Sequence, residues 1–274
     1  MEITGQKLPW LNENHPNYKR WKRARKLSIA RGSFVKSIIE ETITPEGIKV
    51  LDIGSGEGGT AKVLSENNFV VSSDLSKTRL QRQQQFNLTF ARVCCNINSL
   101  PFKKASFNLI ILQDVIEHLQ NANNLPDKLY SLLEHDGVIY LSTPNRFSLF
   151  NIISDPHWGL PLLSLFRRKT IKRYFLTLFR KDDVIRNDVA ELFSLHKIEK
   201  LFSQKFELKL FTNHSVSELF NGNEGIVWSD FHIKLIRILR NLKLDKLVKK
   251  IANDKKGFIN NFFTPTFYLI LKKK

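Results

Sequence analysis

A chain of 274 residues is long enough for one sizeable α/β domain with additions, or for two small domains. Ordinary charge content (25%), 11% aromatic residues and 21 Phe argue against global disorder. The polar opening MEITGQKLPW has no signal-peptide core, no apolar run approaches the ~20 residues of a membrane span, and the neighbours Cys94 and Cys95 give no disulfide framework, so a reducing, cytoplasmic compartment is expected.

The formal net charge of +17 is unevenly placed. Residues 1–46 carry nine Lys/Arg against five Asp/Glu, residues 47–145 carry nine of each, and residues 146–274 carry twenty-five against twelve. The middle of the chain is therefore neutral, and the downstream surplus could attract phosphates, nucleic acid or anionic lipid.

In chain order, residues 17–42 read as one or two basic helices packing beside a sheet. "IKVLDI" (48–53) reads as a buried strand, "GTAKVLSENN" as the helix after it, and "FVVSSD" (69–74) as a second strand. "FARVCC" (90–95) and "FNLIILQ" (107–113) are strands three and four. "NNLPDKLYSLLEHDG" is a helix closed by Gly137, and "VIYLSTPN" is strand five. "FSLHKIEKLFSQ" is a helix with Ser194 as N-cap, leading into strand "FELKLFT", and "TFYLILKKK" is the last strand. Strands separated by helices imply right-handed βαβ units and a mainly parallel sheet. Two stretches break the alternation, 146–190 and 213–264, both longer than ordinary loops. Residues 1–46 are thus read as N-terminal basic helices, and 47–274 as one domain carrying two insertions.

The candidate site is "LDIGSGEGG". Gly54-Ser55-Gly56-Glu57-Gly58-Gly59 satisfies both G-x-G-x-x-G and G-x-G-x-G, so the glycines alone do not choose a nucleotide. The loop follows strand one, where open α/β sheets bind ligands, and Asp74 ends strand two, placed to accept from both hydroxyls of a ribose. Asp52 lies two residues before the first glycine. A carboxylate there would repel a pyrophosphate but suits a ligand carrying an ammonium group and a sulfonium.

With "VLDIGSGEGG", "VVSSDLS", "NINSLPFKKASFNLIILQDVIEHL" and "LLEHDGVIYLSTPN" in this order, the chain resembles the class I S-adenosylmethionine-dependent methyltransferases, most closely over residues 47–145. The resemblance implies a Rossmann-like, seven-stranded sheet whose last strand is antiparallel, with S-adenosyl-L-methionine as cofactor. Carried over, Asp52, Gly54 and Gly56 hold the methionine end, Asp74 takes the ribose hydroxyls, Leu75 lies against the adenine, Asn96 and Ile97 sit at the adenine edge, and Gln113 faces the methionine moiety. Asn96 stands where the family commonly has Asp, and could instead cap a turn. Asn108 replaces another acid common in the family and is read as structural. Cys94 and Cys95 are expected to be small core residues.

Methyl transfer needs a base only where the acceptor must lose a proton. "QDVIEHL" puts Asp114, Glu117 and His118 on one face of a turn, and "SDPHWGLP" puts His157 beside Asp155 and Trp158. His157, in the first insertion, is the preferred base, with His118 the second catalytic candidate. The Asp-x-x-Glu-His spacing resembles the metal-binding turn of some quinone-ring O-methyltransferases; a structural Glu-His pair is the favoured reading, and no metal is expected. Both insertions leave the sheet at its ligand end and are expected to cover the acceptor. In the second, basic residues recur every third position from Lys234 to Lys249 among Leu and Ile, which suggests two short helices broken near 241–245. A cap burying its apolar side on the sheet is favoured over a membrane-facing stripe. The acceptor expected is a small molecule, or a glycan or lipid-linked intermediate, methylated on oxygen, with peripheral contact at an anionic inner membrane face as a further expectation. An RNA methyltransferase and a non-catalytic binding protein that keeps the fold are the alternatives; nucleic acid is disfavoured because no RNA-binding module is visible.

Overall fold

The computed structural model of the chain describes residues 13–86, 89–184, 186, 188–222, 227 and 230–274. Its centre is a seven-stranded sheet of order β3-β2-β1-β4-β5-β7-β6. The strands are β1 (Lys49–Ile53), β2 (Phe69–Asp74), β3 (Ala91–Cys94), β4 (Phe107–Gln113), β5 (Leu133–Pro144), β6 (Phe206–Leu210) and β7 (Thr266–Lys273). Pairings among β1 to β5 are parallel, and β7 runs antiparallel between β5 and β6. β6 therefore points the same way as β5. The expected architecture, antiparallel last strand included, is the observed one.

Alternation along the strands sorts side chains onto two layers. Leu51, Ile53, Ile110, Leu112, Ile139 and Leu141 pack with helices α5 (Leu125–Leu132) and α9 (Leu195–Phe202). Val50, Leu109, Ile111 and Tyr140 pack with Phe34, Val35, Ile38 and Ile39 of α2 (Ser28–Glu40) and Ala61 and Leu64 of α3 (Gly59–Leu64). α2 follows α1 (Tyr18–Lys26) after Leu27 alone, so the basic N-terminal stretch forms two helices. α2 and α3 approach closely: a Cβ on Gly59 would lie 2.1 Å from the Ser28 carbonyl oxygen. The Ser76 hydroxyl caps α4 (Lys77–Arg82), and Ser194 accepts from Lys197 N at 3.2 Å, as its predicted N-cap role requires.

One boundary differs from expectation. The fifth helix stops at Leu132, whose successor Leu133 is already extended and pairs with Phe107; pairing resumes at Leu109 with Val138. Glu134–Gly137 thus interrupt the β4–β5 register instead of closing the helix, because Leu133 pairs across the sheet with Phe107.

The first long connection contains α6 (Leu149–Ile153), α7 (Arg168–Thr170) and α8 (Thr177–Phe179), the last two bracketing a π-helical stretch Ile171–Leu176. It has a small core of its own, built from Trp158, Leu163, Ile171, Leu176 and Val189. The second holds α10 (Thr212–Phe220), α11 (Asp230–Asn241), α12 (Asp245–Ile251) and α13 (Phe258–Phe262). The expected break is present, with Lys243 at φ +56° between α11 and α12. No helix among the described residues is long and apolar enough to cross a membrane.

Candidate active site

The carboxyl ends of β1, β2 and β4 open into a cavity of about 810 Å³. Its floor is the glycine turn. Gly54 and Gly56 have φ +70° and +53°, values that L side chains rarely adopt. A Cβ on Gly54 would lie 2.6 Å from Val115 Cγ2, whereas one on Gly56 would meet only the Gly54 carbonyl oxygen, at 3.9 Å. At Gly56, therefore, bare backbone borders the cavity, and any side chain would fill it.

Asp74 is buried at the end of β2. Its Oδ2 accepts from Gly56 N at 3.0 Å and its Oδ1 from Ser76 N at 2.8 Å. Leu75 beside it is 68% exposed, an apolar face offered to the cavity. Asn96 and Ile97 line the same wall; the Asn96 amide oxygen accepts from Asn98 N at 2.9 Å, so it does cap a turn while bordering the cavity. Gln113 lines the cavity at the end of β4, its Oε1 accepting from the Thr60 hydroxyl at 2.8 Å. Asn108 accepts from Lys49 N at 2.9 Å, a structural role.

Asp52 shares the α2/α3 side of β1 with Val50, lies 2% exposed, and precedes the glycine turn that lines the cavity. Its carboxylate accepts from the backbone N–H of Ala61 in the first turn of α3, and its Oδ2 has no hydrogen-bond partner. Burial, aided by the charge of Asp74, pushes it up to about 7. Period-two alternation explains the placement: residues flanking a strand's core positions can point behind a loop as readily as into it. Cys94 departs from expectation, being exposed, and Cys95 lines the cavity.

The same cavity is lined by two histidines. The ring nitrogen Nδ1 of His118 lies 2.7 Å from the Asp188 carbonyl, which only accepts, so Nδ1 carries the hydrogen and Nε2 is the basic atom. His157 stands edge-on to it, ring centroids 5.1 Å apart. Asp155 Oδ1 accepts from the backbone N–H groups of His157 and Trp158, each at 2.9 Å, which fixes the turn that presents the imidazole. Burial, followed by the positive surroundings of His118, Arg186 and Arg20, holds His157 well below the usual histidine range; burial lowers His118 as well. Glu117 is fully buried. Its Oε2 accepts from the Thr143 hydroxyl at 2.9 Å, and its Oε1 lies 3.9 Å from His157 Nε2. Burial first, then Asp114, raise Glu117 to about 8.

Candidate metal-ligating atoms of Glu117, His118 and His157 all lie within 4.8 Å of one another. Asp114, the remaining member of the Asp-x-x-Glu-His turn, points elsewhere. At φ +55° it pairs with Arg31 of α2 and accepts from the Ser142 hydroxyl at 2.9 Å.

Several wall residues were not anticipated. Asn17, Trp21, Arg25, Ser28 and Arg31 line the cavity from α1, α2 and the residue before them. Their spacing, near three or four residues, is the signal that could have revealed them. The first connection contributes Arg186 and Asp188 as well as His157 and Trp158, and it is tied to the histidine turn by Arg168, which donates to the carbonyls of Glu117 and Leu119 at 2.9 Å each. The Arg186 guanidinium lies over both Trp21 (5.6 Å) and Trp158 (5.4 Å), clasping the N-terminal helix to this connection. None of the described residues of 213–264 lines the cavity.

A parallel sheet with one antiparallel strand, a glycine turn after β1, and an acid ending β2 beside that turn define a Rossmann-like architecture with its candidate site at the carboxyl ends of the strands. The chain belongs to the methyltransferase domain family, whose pattern it matches over residues 23–212, and so to the class I enzymes that use S-adenosylmethionine as methyl donor. Among curated relatives, the ubiquinone biosynthesis O-methyltransferase of Coxiella burnetii is 28% identical over 115 residues, 39% of this chain and 48% of that protein. Its counterpart in Bartonella quintana is 26% identical over 123 residues, 43% of this chain and 47% of that protein. The chain thus spans about half the length of these relatives. In fold it is similar to an S-adenosylmethionine-dependent methyltransferase of Mesorhizobium loti (TM-score 0.54, 14% identity, covering 86% of this chain and 96% of that one). A methyltransferase of Thermotoga maritima gives TM-score 0.53 at 15% identity, covering 94% and 95%.

Proposed function

We propose that this chain transfers a methyl group from S-adenosylmethionine to a hydroxyl oxygen of a small-molecule acceptor, free or carried on a glycan or lipid. The observation that carries the reading is a single cavity lined by the glycine turn and Asp74 and also by His118 and His157. Residues and cofactor fit: bare backbone at Gly56 leaves room for a ligand, and Leu75 offers an exposed apolar face to a flat base. When bound, S-adenosylmethionine supplies an activated methyl group on a positively charged sulfur.

The protein's own work is binding, orientation and one proton. Gly54 and Gly56 would let the backbone approach the cofactor, and Asp74 would accept from the ribose hydroxyls. Leu75, Asn96 and Ile97 would hold the adenine, and Gln113 would hold the methionine end. Asp52 acts from behind by holding the first turn of α3, which sets the glycine turn. His157, held neutral by its surroundings, takes the proton of the acceptor hydroxyl as the new O–C bond forms. His118, fixed by the Asp188 carbonyl, keeps that ring in place, and Glu117 Oε1 lies 3.9 Å from His157 Nε2. Curated relatives named as O-methyltransferases support oxygen as the atom methylated.

The test incubates the protein with methyl-labelled S-adenosylmethionine and fractionated small-molecule and lipid extracts. Label should pass to a base-stable ether product. His157→Gln should slow turnover by roughly 10²–10⁴-fold while S-adenosylhomocysteine binds as before. Wild-type turnover in His157→Gln would remove its role as base.

A further inference from the structure

The second long connection lines no part of the cavity among its described residues, yet it has an ordered and unusual surface. In α12 no residue is buried. Leu244, Leu247 and Ile251, spaced i, i+3, i+7, fall on one helical face and are 36%, 51% and 46% exposed. Leu242 in the preceding turn is 62% exposed, and Ile238 on α11 54%. Lys243, Lys246 and Lys250, all exposed, flank this stripe. From 231 to 251 the chain carries seven Lys/Arg and one acid, Asp245.

The opposite side of the pair is tied down. Arg240 donates to the carbonyls of Leu219 (3.0 Å) and Phe220 (2.9 Å), and Lys249 to Asn221 Oδ1 at 3.0 Å. Two basic residues therefore fasten the helices to α10, which leaves the stripe and its flanking lysines facing outward. Such a face calls for an apolar, negatively charged cover. A second copy of this chain, also at +17, would be repelled. Single-stranded RNA would call for aromatic platforms among the basic residues, and 242–251 contains none.

We propose that the Leu242–Leu244–Leu247–Ile251 stripe docks the protein on an anionic lipid bilayer. The four side chains enter the boundary between headgroups and acyl chains, and Lys243, Lys246 and Lys250 lie among the negatively charged headgroups. This goes beyond the methyl-transfer reading and stands without it, since docking is measured with neither donor nor acceptor present.

The experiment is co-sedimentation of the full chain with vesicles of phosphatidylcholine alone, and with vesicles holding roughly a quarter phosphatidylglycerol, at physiological salt. Binding is expected with the anionic vesicles and not with the neutral ones. Each neutralised lysine should lower partition roughly fivefold, so Lys243→Gln, Lys246→Gln and Lys250→Gln together should lower it about a hundredfold. The pair Leu247→Asp and Ile251→Asp should also release the protein, with an unchanged melting temperature because both positions are exposed in the folded chain. Undiminished binding by either set, equal partition to neutral vesicles, or retention of mixed cellular RNA in preference to anionic vesicles would overturn the proposal.

Discussion

Asp74 gives the sharpest test of the nucleoside wall. Its two oxygens already serve backbone donors, Oδ2 taking Gly56 N at 3.0 Å and Oδ1 taking Ser76 N at 2.8 Å. Each oxygen keeps a second lone pair for a ribose hydroxyl. In Asp74→Ala both ligand bonds are lost and the glycine turn loses its tether. A hydrogen bond to a charged acceptor is worth about 1.5–3 kcal/mol, and water can replace part of it at a cavity wall. S-Adenosylhomocysteine should therefore bind more weakly by about 1–3 kcal/mol, or roughly 5–150-fold. Asp74→Asn separates charge from shape: one oxygen remains, but the amide NH₂ must face either Gly56 N–H or Ser76 N–H, donor against donor. Asparagine should accordingly bind little better than alanine. Isothermal titration calorimetry reads the affinities, and a thermal melt checks that each variant is folded. Wild-type affinity in folded Asp74→Ala, or binding of NAD with none of S-adenosylhomocysteine, would refute the assignment of this wall.

Two further outcomes are expected. Asp52 is raised to about 7 against 3.8 for an ordinary aspartate, so the folded protein holds this proton more tightly than the unfolded chain. Its contribution is present at low pH and lost as pH rises through that window, by up to about 4 kcal/mol. Asp52→Asn should flatten the fall in urea midpoint between about pH 4 and pH 7, and an unchanged slope would show that the carboxyl does not carry this effect. Methyl transfer should also survive dialysis against a chelator, because Asp114 is engaged by Arg31 and Glu117 is raised to about 8. Loss on chelation with recovery on adding a divalent metal would instead make Glu117, His118 and His157 ligands.

The sheet was legible because its information is local. Each strand is a short apolar run, "FNLIILQ" coinciding with β4 from Phe107 to Gln113, and the turn between β1 and α3 needs residues that tolerate positive φ at Gly54 and Gly56. Charge runs and spacing likewise foretold two short helices with a break between them. Boundaries were less legible. Glu134–Gly137 read as a helix end because Gly137 follows an apolar-periodic run, but pairing Leu133 with Phe107 decided the matter across the sheet.

The sequence by itself determined the glycine-turn wall of the cavity, because that turn and Asp74 lie within some twenty residues of one another and share one βαβ unit. His118 and His157 were singled out in the sequence, but the wall around them was assembled by tertiary structure. Trp21, Arg31, His157 and Arg186 meet across more than a hundred and sixty positions of chain, and nothing local in any of them records the others. Asp52 shows the same limit at short range: its position in the motif was plain, but its burial depended on which side of β1 the helices covered. The second insertion repeats it at the surface. Its lysines and leucines were countable, yet only the packing of Arg240 and Lys249 against α10 settled which side of the helix pair is left for solvent or lipid.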